Sequence, residues 1–419
     1  MADTSHPRIF LSAGEASGDH YGAAIVSELR KRLPQASFTG LGGAAMEAAG
    51  QHRVVRAEDV AHMGLTEVIR HAPYIYSQYW KLVGSIKRER PDVAVLIDFP
   101  DVNFRLAKHL RRLGVPVVWF VSPQLWAWKR GRLRWVQQRV DRMLVIFPFE
   151  EAFYRARGVD VEFVGHPLAG MALPSTSRQD YAARNGLNEG KLWIALLPGS
   201  REKEVAANLP TMLDAAAELG LEYEYIIPVA STLTKDWIQK LIASEEQLRD
   251  RTGNGNFPSI LHMVDDARAA LFHARAAVVA SGTATVQALT VGNPFVVVYR
   301  VSKLTFAVAK AMIRYPAEIP AKLDADGNLP VGMVNLIAGR RIVPELLNER
   351  FTAANLAAAL RPLLEDTAER RQMIADLAAA RAKLLLDTAS DPIGRVCDAV
   401  EGLLAGRATD VRRTAASSV

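Results

Sequence analysis

Two segments in the second half of the chain combine a glycine turn with groups that attract anions. LLPGSREKE (196–204) reads as an apolar run, a Pro-Gly turn and a helix opening with Arg201. Such a turn frees backbone N–H groups, the helix dipole favours negative charge, and an arginine can grip a diphosphate through two parallel hydrogen bonds. ASGTATVQA (280–288) sets Ser281, Gly282, Thr283 and Thr285 at a second strand-to-helix junction, again suited to phosphate. An ordinary helix cap accounts for either junction alone but poorly for Arg201. Neither segment ends in the Lys-Ser/Thr pair of a P-loop, which disfavours ATP hydrolysis.

The first half holds a different set. AGEASGD (13–19) follows an apolar run and precedes a helix; Gly14 and Gly18 allow close backbone approach, and Glu15 and Asp19 can bond sugar hydroxyls. The spacing is not GxGxxG, so a dinucleotide site is disfavoured, and a tight turn with Asp19 capping its helix is the slightly stronger plain alternative. DVAVLID (92–98) places Asp98 where an apolar strand ends. Burial there raises a carboxyl toward general-base range, although a structural hydrogen bond is an equal alternative. Asp101 and Asn103, just beyond, fit helix capping.

Aromatic and basic residues interleave in WFVSPQLWAWKRGRLRWVQQR (119–139), with four tryptophans, Trp126 and Trp128 among them, beside Lys129, Arg130, Arg132, Arg134 and Arg139. HAPYIYSQYWKLV (71–83) is a second aromatic segment. Each residue alone reads best as core aromatic or solvated basic face. Their density favours an amphiphilic ligand: nucleic acid, an anionic membrane surface or a glycolipid. No His cluster has metal-ligand spacing, no DxD or GxSxG occurs, and His166 in GHP reads as a packed turn histidine.

The elements that must position these groups alternate. Strand candidates at 8–12, 36–42, 92–98, 115–121, 142–147 and 161–165 are separated by helical patterns such as 20–33, 66–90, 101–113 and 149–157. Several are continuously apolar, as in parallel strands covered on both faces. After a polar, Pro- and Gly-containing connection (166–190) the rhythm restarts, with strands at 192–198, 222–229, 257–264, 276–281 and 294–300. The expected fold class is α/β: two Rossmann-like domains, 1–168 and 169–351, facing across a cleft, then a helical segment 352–405 and a disordered tail 406–419. In such sheets ligands bind beyond the carboxyl ends of the strands, where the residues above fall.

Length and composition agree. A chain of 419 residues with 49% hydrophobic and 23% charged residues fits two globular domains. One cysteine, Cys397, points to a reducing compartment, and the absence of a leader-like or spanning apolar run points to the cytoplasm. A net charge of +6 is mild and separates no class of anionic partner.

At these same segments the sequence resembles the bacterial lipid A disaccharide synthases. The resemblance runs in order through AGEASGD, GLGGAAM (40–46), MGLTEV (63–68), IDFPDVNF (97–104), VSPQLWAW (121–128), PFEEAFY (148–154), FVGHPL (163–168), LLPGSR (196–201), SGTAT (281–285) and IVPELL (342–347). It implies a GT-B glycosyltransferase that moves 2,3-diacylglucosamine from UDP to the 6-hydroxyl of 2,3-diacylglucosamine 1-phosphate (lipid X), with inversion. It further implies peripheral association with the cytoplasmic face of the inner membrane, a homodimer, and no metal, cofactor or nucleic acid. Carried over, Asp98 deprotonates the acceptor and Arg201 offsets charge on departing UDP. Gly199, Ser200, Ser281, Gly282 and Thr283 line the diphosphate, with Gln287, Asn335 and Glu345 also on the nucleotide side. Glu15, Asp19, Trp126 and Trp128 belong to the acceptor side. The chain departs from the pattern at Gln287, where many relatives carry Glu, and at GMVN (332–335), where a Pro-Asn pair is expected. Two competing readings are another UDP-sugar enzyme of this fold (a GlcNAc transferase to a lipid-linked acceptor, or a 2-epimerase) and a nucleic-acid-binding protein. The last leaves both phosphate-ready junctions unused.

Overall fold

Runs such as Val93–Ile97 and Ala276–Ala280 bury every residue, which only a strand in the interior of a covered sheet can do. In the computed structural model, which describes residues 6–61, 72–252, 261–319, 321–386 and 391–416, these strands form two wholly parallel sheets. The chain divides into one unit of Met1–Gly170 with Leu385–Val419 and a second of Met171–Leu384. The block MGLTEV, the start of the helix expected at 66–90 and the start of the strand expected at 257–264 lie outside the described residues.

The first unit contains β1 (Arg8–Ala13), β2 (Ser37–Gly42), β3 (His52–Arg56), β4 (Val93–Ile97), β5 (Val117–Phe120), β6 (Arg142–Val145) and β7 (Val161–Phe163), in spatial order 3-2-1-4-5-6-7. Its helices include α1 (Ala16–Arg32), α2 (Ala72–Glu89), α3 (Pro100–Arg112) and α4 (Pro148–Arg155). The second unit contains β8 (Leu192–Leu197), β9 (Tyr223–Pro228), β10 (Leu261–Val264), β11 (Ala276–Ala280), β12 (Phe295–Tyr299) and β13 (Glu345–Leu347), in order 10-9-8-11-12-13. Its helices include α5 (Glu202–Leu219), α6 (Thr283–Val291), α7 (Met333–Ala338), α8 (Ala353–Leu364) and α9 (Ala368–Ala382). Each order reverses once, between β1 and β4 and between β8 and β11. Those crevices are the topological switch points where doubly wound sheets bind ligands.

Two edge strands, β3 and β13, are absent from the apolar pattern. β3 (HRVVR) pairs only with β2 and buries only Val55, so its charged residues sit at an edge that the core does not require to be apolar. β13 has three residues and pairs only with β12. The C-terminal helices are divided between the units. α8 packs on α5 in the second unit, while α10 (Pro392–Ala416) packs on α1 in the first. There Arg32 pairs with Asp398 at 2.6 Å and Glu401 at 3.2 Å. This last helix runs to Ala416, through most of the stretch where composition implied a tail.

Candidate active site

Register brings the exits of β1 and β4 together. Ala13 pairs with Ile97, so Gly14-Glu15 and Asp98-Phe99 leave the sheet side by side at the switch point. Asp98 and Phe99 both take left-handed backbone, with φ 43° and 48°, a conformation rare for residues with a Cβ and typical of functional turns. Asn103 enforces it. Its buried amide donates to the carbonyls of Asp98 (2.7 Å), Ile97 (3.2 Å) and Ser12 (3.3 Å), and its oxygen accepts from Ser12 Oγ (2.6 Å). Gly14 is required because a Cβ would lie 2.3 Å from the Phe99 ring. Glycine lets that ring close over the first turn and keeps Glu15 near Asp98.

The electrostatics follow from this crowding. Burial, with the negative charge of Glu15, pushes the Asp98 carboxyl up to about 7, against a bond from the Phe99 N–H that favours the anion. That range suits a general base at neutral pH. Tyr21, on α1, has its phenol pushed up by burial and by Asp98, so it stays neutral.

A second carboxyl lies behind the β5 exit. Glu150 is fully buried on α4 and accepts hydrogen bonds from Ser122 Oγ (2.7 Å), Trp126 Nε1 (3.1 Å) and the Phe147 N–H (3.3 Å). Burial raises it to about 7, with Asp98 adding to the rise. Tyr154, one turn further along α4, donates to the Pro123 carbonyl at 3.1 Å. The loop after β5 is thereby tied to α4 at three residues.

Not every expected residue faces solvent. Asp19 spends its carboxylate on the N–H groups of Gly43 (2.8 Å), Ala45 (3.0 Å) and Met46 (3.1 Å), capping the next helix rather than its own. That bonding leaves it little capacity for a sugar hydroxyl. Trp126 is core, its indole satisfied by Glu150, whereas Trp128 is 48% exposed with Lys129 Nζ 4.1 Å from its ring centre. Asp101 makes no cap; it pairs with Arg132 at 2.6 Å. Arg139 stacks on Trp135 and bonds the Phe104 carbonyl, so much of the basic-aromatic stretch is structural. The aromatics of α2 behave differently: Tyr74, Tyr76 and Trp80 stand exposed beside exposed Lys81. His166 is a buried turn residue whose Nδ1 accepts from the Leu168 N–H, and burial pushes it down to about 3.

In the second unit β8 and β11 exit together in the same way, Leu197 pairing with Val279. Gly199 has φ 135°, and a Cβ there would lie 2.7 Å from Glu204 Cβ. Glu204 bonds the Ser200 N–H at 3.2 Å and approaches Arg201 at 3.5 Å. Arg201 is the cap residue of α5, with its side chain 70% exposed. Across the switch point Gly282 has φ 154° and caps α6, with Thr283 exposed behind it. Ser281 Oγ donates to the Val331 carbonyl at 3.2 Å, and Gln287 is half-buried in the second turn of α6. Two helix N-termini thus open at one crevice, an arrangement that can hold a diphosphate.

Glu345 and Asn335 form a bracket beside it. Glu345 accepts from the N–H groups of Val331 (3.2 Å) and Gly332 (2.9 Å) and from Asn335 Nδ2 (2.8 Å). Asn335 is fully buried, and its oxygen accepts from Ile342 and Val343. Its side chain is consumed by the fold, so any effect on a nucleotide passes through the Val331–Gly332 turn. Sequence reading missed the clamp made by Asn103 and the buried Glu150. A serine within the apolar run of β1 marks the first; Pro148 and Glu150 at the start of α4 mark half a capping box, since Phe147 has no side-chain acceptor.

Comparison with known proteins finds relatives along most of the chain. A family model described as lipid-A-disaccharide synthetase matches residues 9–388. A lipid-A-disaccharide synthase from Acidobacterium capsulatum is 52% identical over 374 residues, 88% of this chain and 90% of its own length. The crystal structure of the glycotransferase of kitacinnamycin superposes with a TM-score of 0.59 at 15% identity, covering 95% of this chain and 99% of that one. A UDP-GlcNAc 2-epimerase from Neisseria meningitidis, bound to UDP-GlcNAc, gives a TM-score of 0.58 at 11% identity, covering 95% and 100%. These last two likenesses concern the fold alone.

Proposed function

The chain belongs to the lipid-A-disaccharide synthetase family, and from that premise we propose that it joins 2,3-diacylglucosamine, carried on UDP, to the 6-hydroxyl of lipid X with inversion. It is an enzyme, a glycosyltransferase of GT-B fold. The observation that carries the assignment of roles is the pair of switch points: one bears a raised carboxyl, the other two helix N-termini and Arg201.

In this reading Asp98 takes the proton of the acceptor hydroxyl as its oxygen attacks the anomeric carbon from the face opposite UDP. The bond from that carbon to the diphosphate breaks, and UDP departs with the electron pair. The charge that builds on the diphosphate is met by Arg201, by the start of α5 and by the start of α6 at Ser281, Gly282 and Thr283. Glu15 keeps Asp98 basic. Gln287 accepts from a ribose hydroxyl, a neutral contact where a glutamate would supply charge. Glu345 and Asn335 hold the Val331–Gly332 turn on the nucleotide side, and Asp19 supports the acceptor side through the helix it caps.

Both substrates are amphiphilic, so the enzyme works at a membrane surface. No helix among the described residues is long and apolar enough to cross one. The exposed Tyr74, Tyr76 and Trp80 of α2, with Lys81, Lys87 and Arg88, form a face suited to the interface of an anionic bilayer, and Trp128 with Lys129 is a separate exposed aromatic-basic pair. This supports peripheral association with the cytoplasmic face of the inner membrane. The family further supports a homodimer, which sedimentation velocity measures.

Mass spectrometry after incubation with both substrates gives a tetra-acylated disaccharide 1-phosphate in this reading. Recovery of an epimerised UDP-sugar or an unacylated disaccharide instead assigns the chain to another UDP-sugar reaction. Vesicle flotation with Tyr76→Asp and Trp80→Asp loses bound protein relative to the parent; unchanged flotation removes α2 from the membrane contact.

A further inference from the structure

The proposed chemistry employs Asp98, Glu15 and Arg201 and leaves the buried carboxyl of Glu150 without a task. An ionisable side chain is costly to bury, and the three groups that bond Glu150, Ser122 Oγ, Trp126 Nε1 and the Phe147 N–H, are uncharged. Glutamine has the same length but a single acceptor oxygen, so it meets Ser122 and Trp126 or the Phe147 N–H and turns its own N–H groups on the other. A carboxyl is therefore what lets one side chain hold all three donors, and their location supplies a reason for it.

Two of these three partners, Ser122 and Trp126, lie on the loop that follows β5, and the third, Phe147, opens α4. Ser122 and Trp126 share one oxygen of Glu150, Phe147 takes the other, and Tyr154 bonds Pro123 from the same helix. That loop leads to the exposed Trp128, and its first residue bonds the neighbouring strand's end, the Val121 N–H donating to the Leu144 carbonyl at 3.1 Å. β5 is also the direct neighbour of β4, and the Asp98 N–H donates to the Phe120 carbonyl at 3.0 Å.

We propose that Glu150 is a positioning residue for the transfer reaction, its two carboxylate oxygens fixing the Ser122–Trp126 loop to the start of α4 on the acceptor side. This rests on the first unit holding the acceptor, as in the proposed function.

The test is steady-state kinetics with lipid X and the UDP-sugar varied in turn. Glu150→Gln keeps the size of the side chain but loses one of its two acceptor oxygens, and raises KM for lipid X several-fold while KM for the UDP-sugar stays put. Ser122→Ala and Tyr154→Phe remove other ties of the same loop to α4 and move KM for lipid X the same way by smaller steps. An unmoved KM for lipid X in a folded Glu150→Gln overturns the proposal, as does an equal rise in KM for the UDP-sugar. A parent enzyme that forms no disaccharide from lipid X defeats the proposed function itself, whereas an active parent with an unmoved KM in Glu150→Gln defeats the Glu150 proposal alone.

Discussion

Replacing Asn103 by alanine tests how the base is held. The amide nitrogen has two hydrogens for three carbonyls, and the shortest bond, 2.7 Å, goes to the Asp98 carbonyl. The substitution leaves that carbonyl and Ser12 Oγ buried without their partner, each costing about 1–3 kcal/mol, so a loss of about 3 kcal/mol is expected. In a domain of this size that lowers Tm by about 6–12 °C. The loss has a second consequence, because Asp98 and Phe99 hold left-handed backbone (φ 43° and 48°) only while something over-determines it. Released, the pair relaxes toward ordinary backbone and the carboxylate moves. A displacement of about 1 Å costs on the order of 100-fold in rate. Urea unfolding gives the first number, and UDP release measured well below the variant's melting temperature gives the second. Stability loss with normal kcat would refute the claim that Asn103 sets the conformation of the base; normal stability would refute the count of buried bonds.

Other perturbations read other parts of the site. Asp98→Asn abolishes turnover, and in the parent kcat/KM falls as pH drops below about 7, where the raised carboxyl takes up its proton. Because that carboxyl is raised from 3.8 to about 7 on folding, its ionisation costs stability above the folded value and nothing below about 4. Asp98→Asn therefore melts higher than the parent at pH 8, by at most about 4 kcal/mol, and equally at pH 4; equal melting at both pH values contradicts the desolvation of Asp98. Arg201→Lys slows UDP release on the order of 100-fold with little change in Tm, since the side chain is 70% exposed; calorimetry and steady-state kinetics separate the two. Gly199→Ala strains a φ of 135° and meets Glu204, so donor KM rises and the protein loses about 1–3 kcal/mol, read by UDP titration and thermal melts.

The sheet strands of the core were legible because they are buried on both faces and so are written as unbroken apolar runs. β3 and β13 were not, since an edge strand needs only one apolar contact and can carry His52, Arg53 and Arg56. The placement of Asp98 and Arg201, at strand ends followed by helix starts, was legible from the apolar runs before them. Asn103 and Glu150 were harder: a single sequence shows a polar residue near a helix start, and only the folded chain shows that one binds backward to β1 and β4 while the other binds a loop 24 and 28 residues earlier. Tryptophan density overstated the ligand surface, because Trp119 and Trp126 serve the core and, among the described residues, the exposed rings are those of α2 and Trp128.

The most direct test of the central claim is UDP release by purified protein given lipid X and, in parallel, UDP-2,3-diacylglucosamine or unacylated UDP-GlcNAc. UDP is expected to form in step with disaccharide from the acylated donor, dependent on lipid X, and not to form from the unacylated one. Turnover of unacylated UDP-GlcNAc at a comparable rate, or no UDP from the acylated pair, would contradict it.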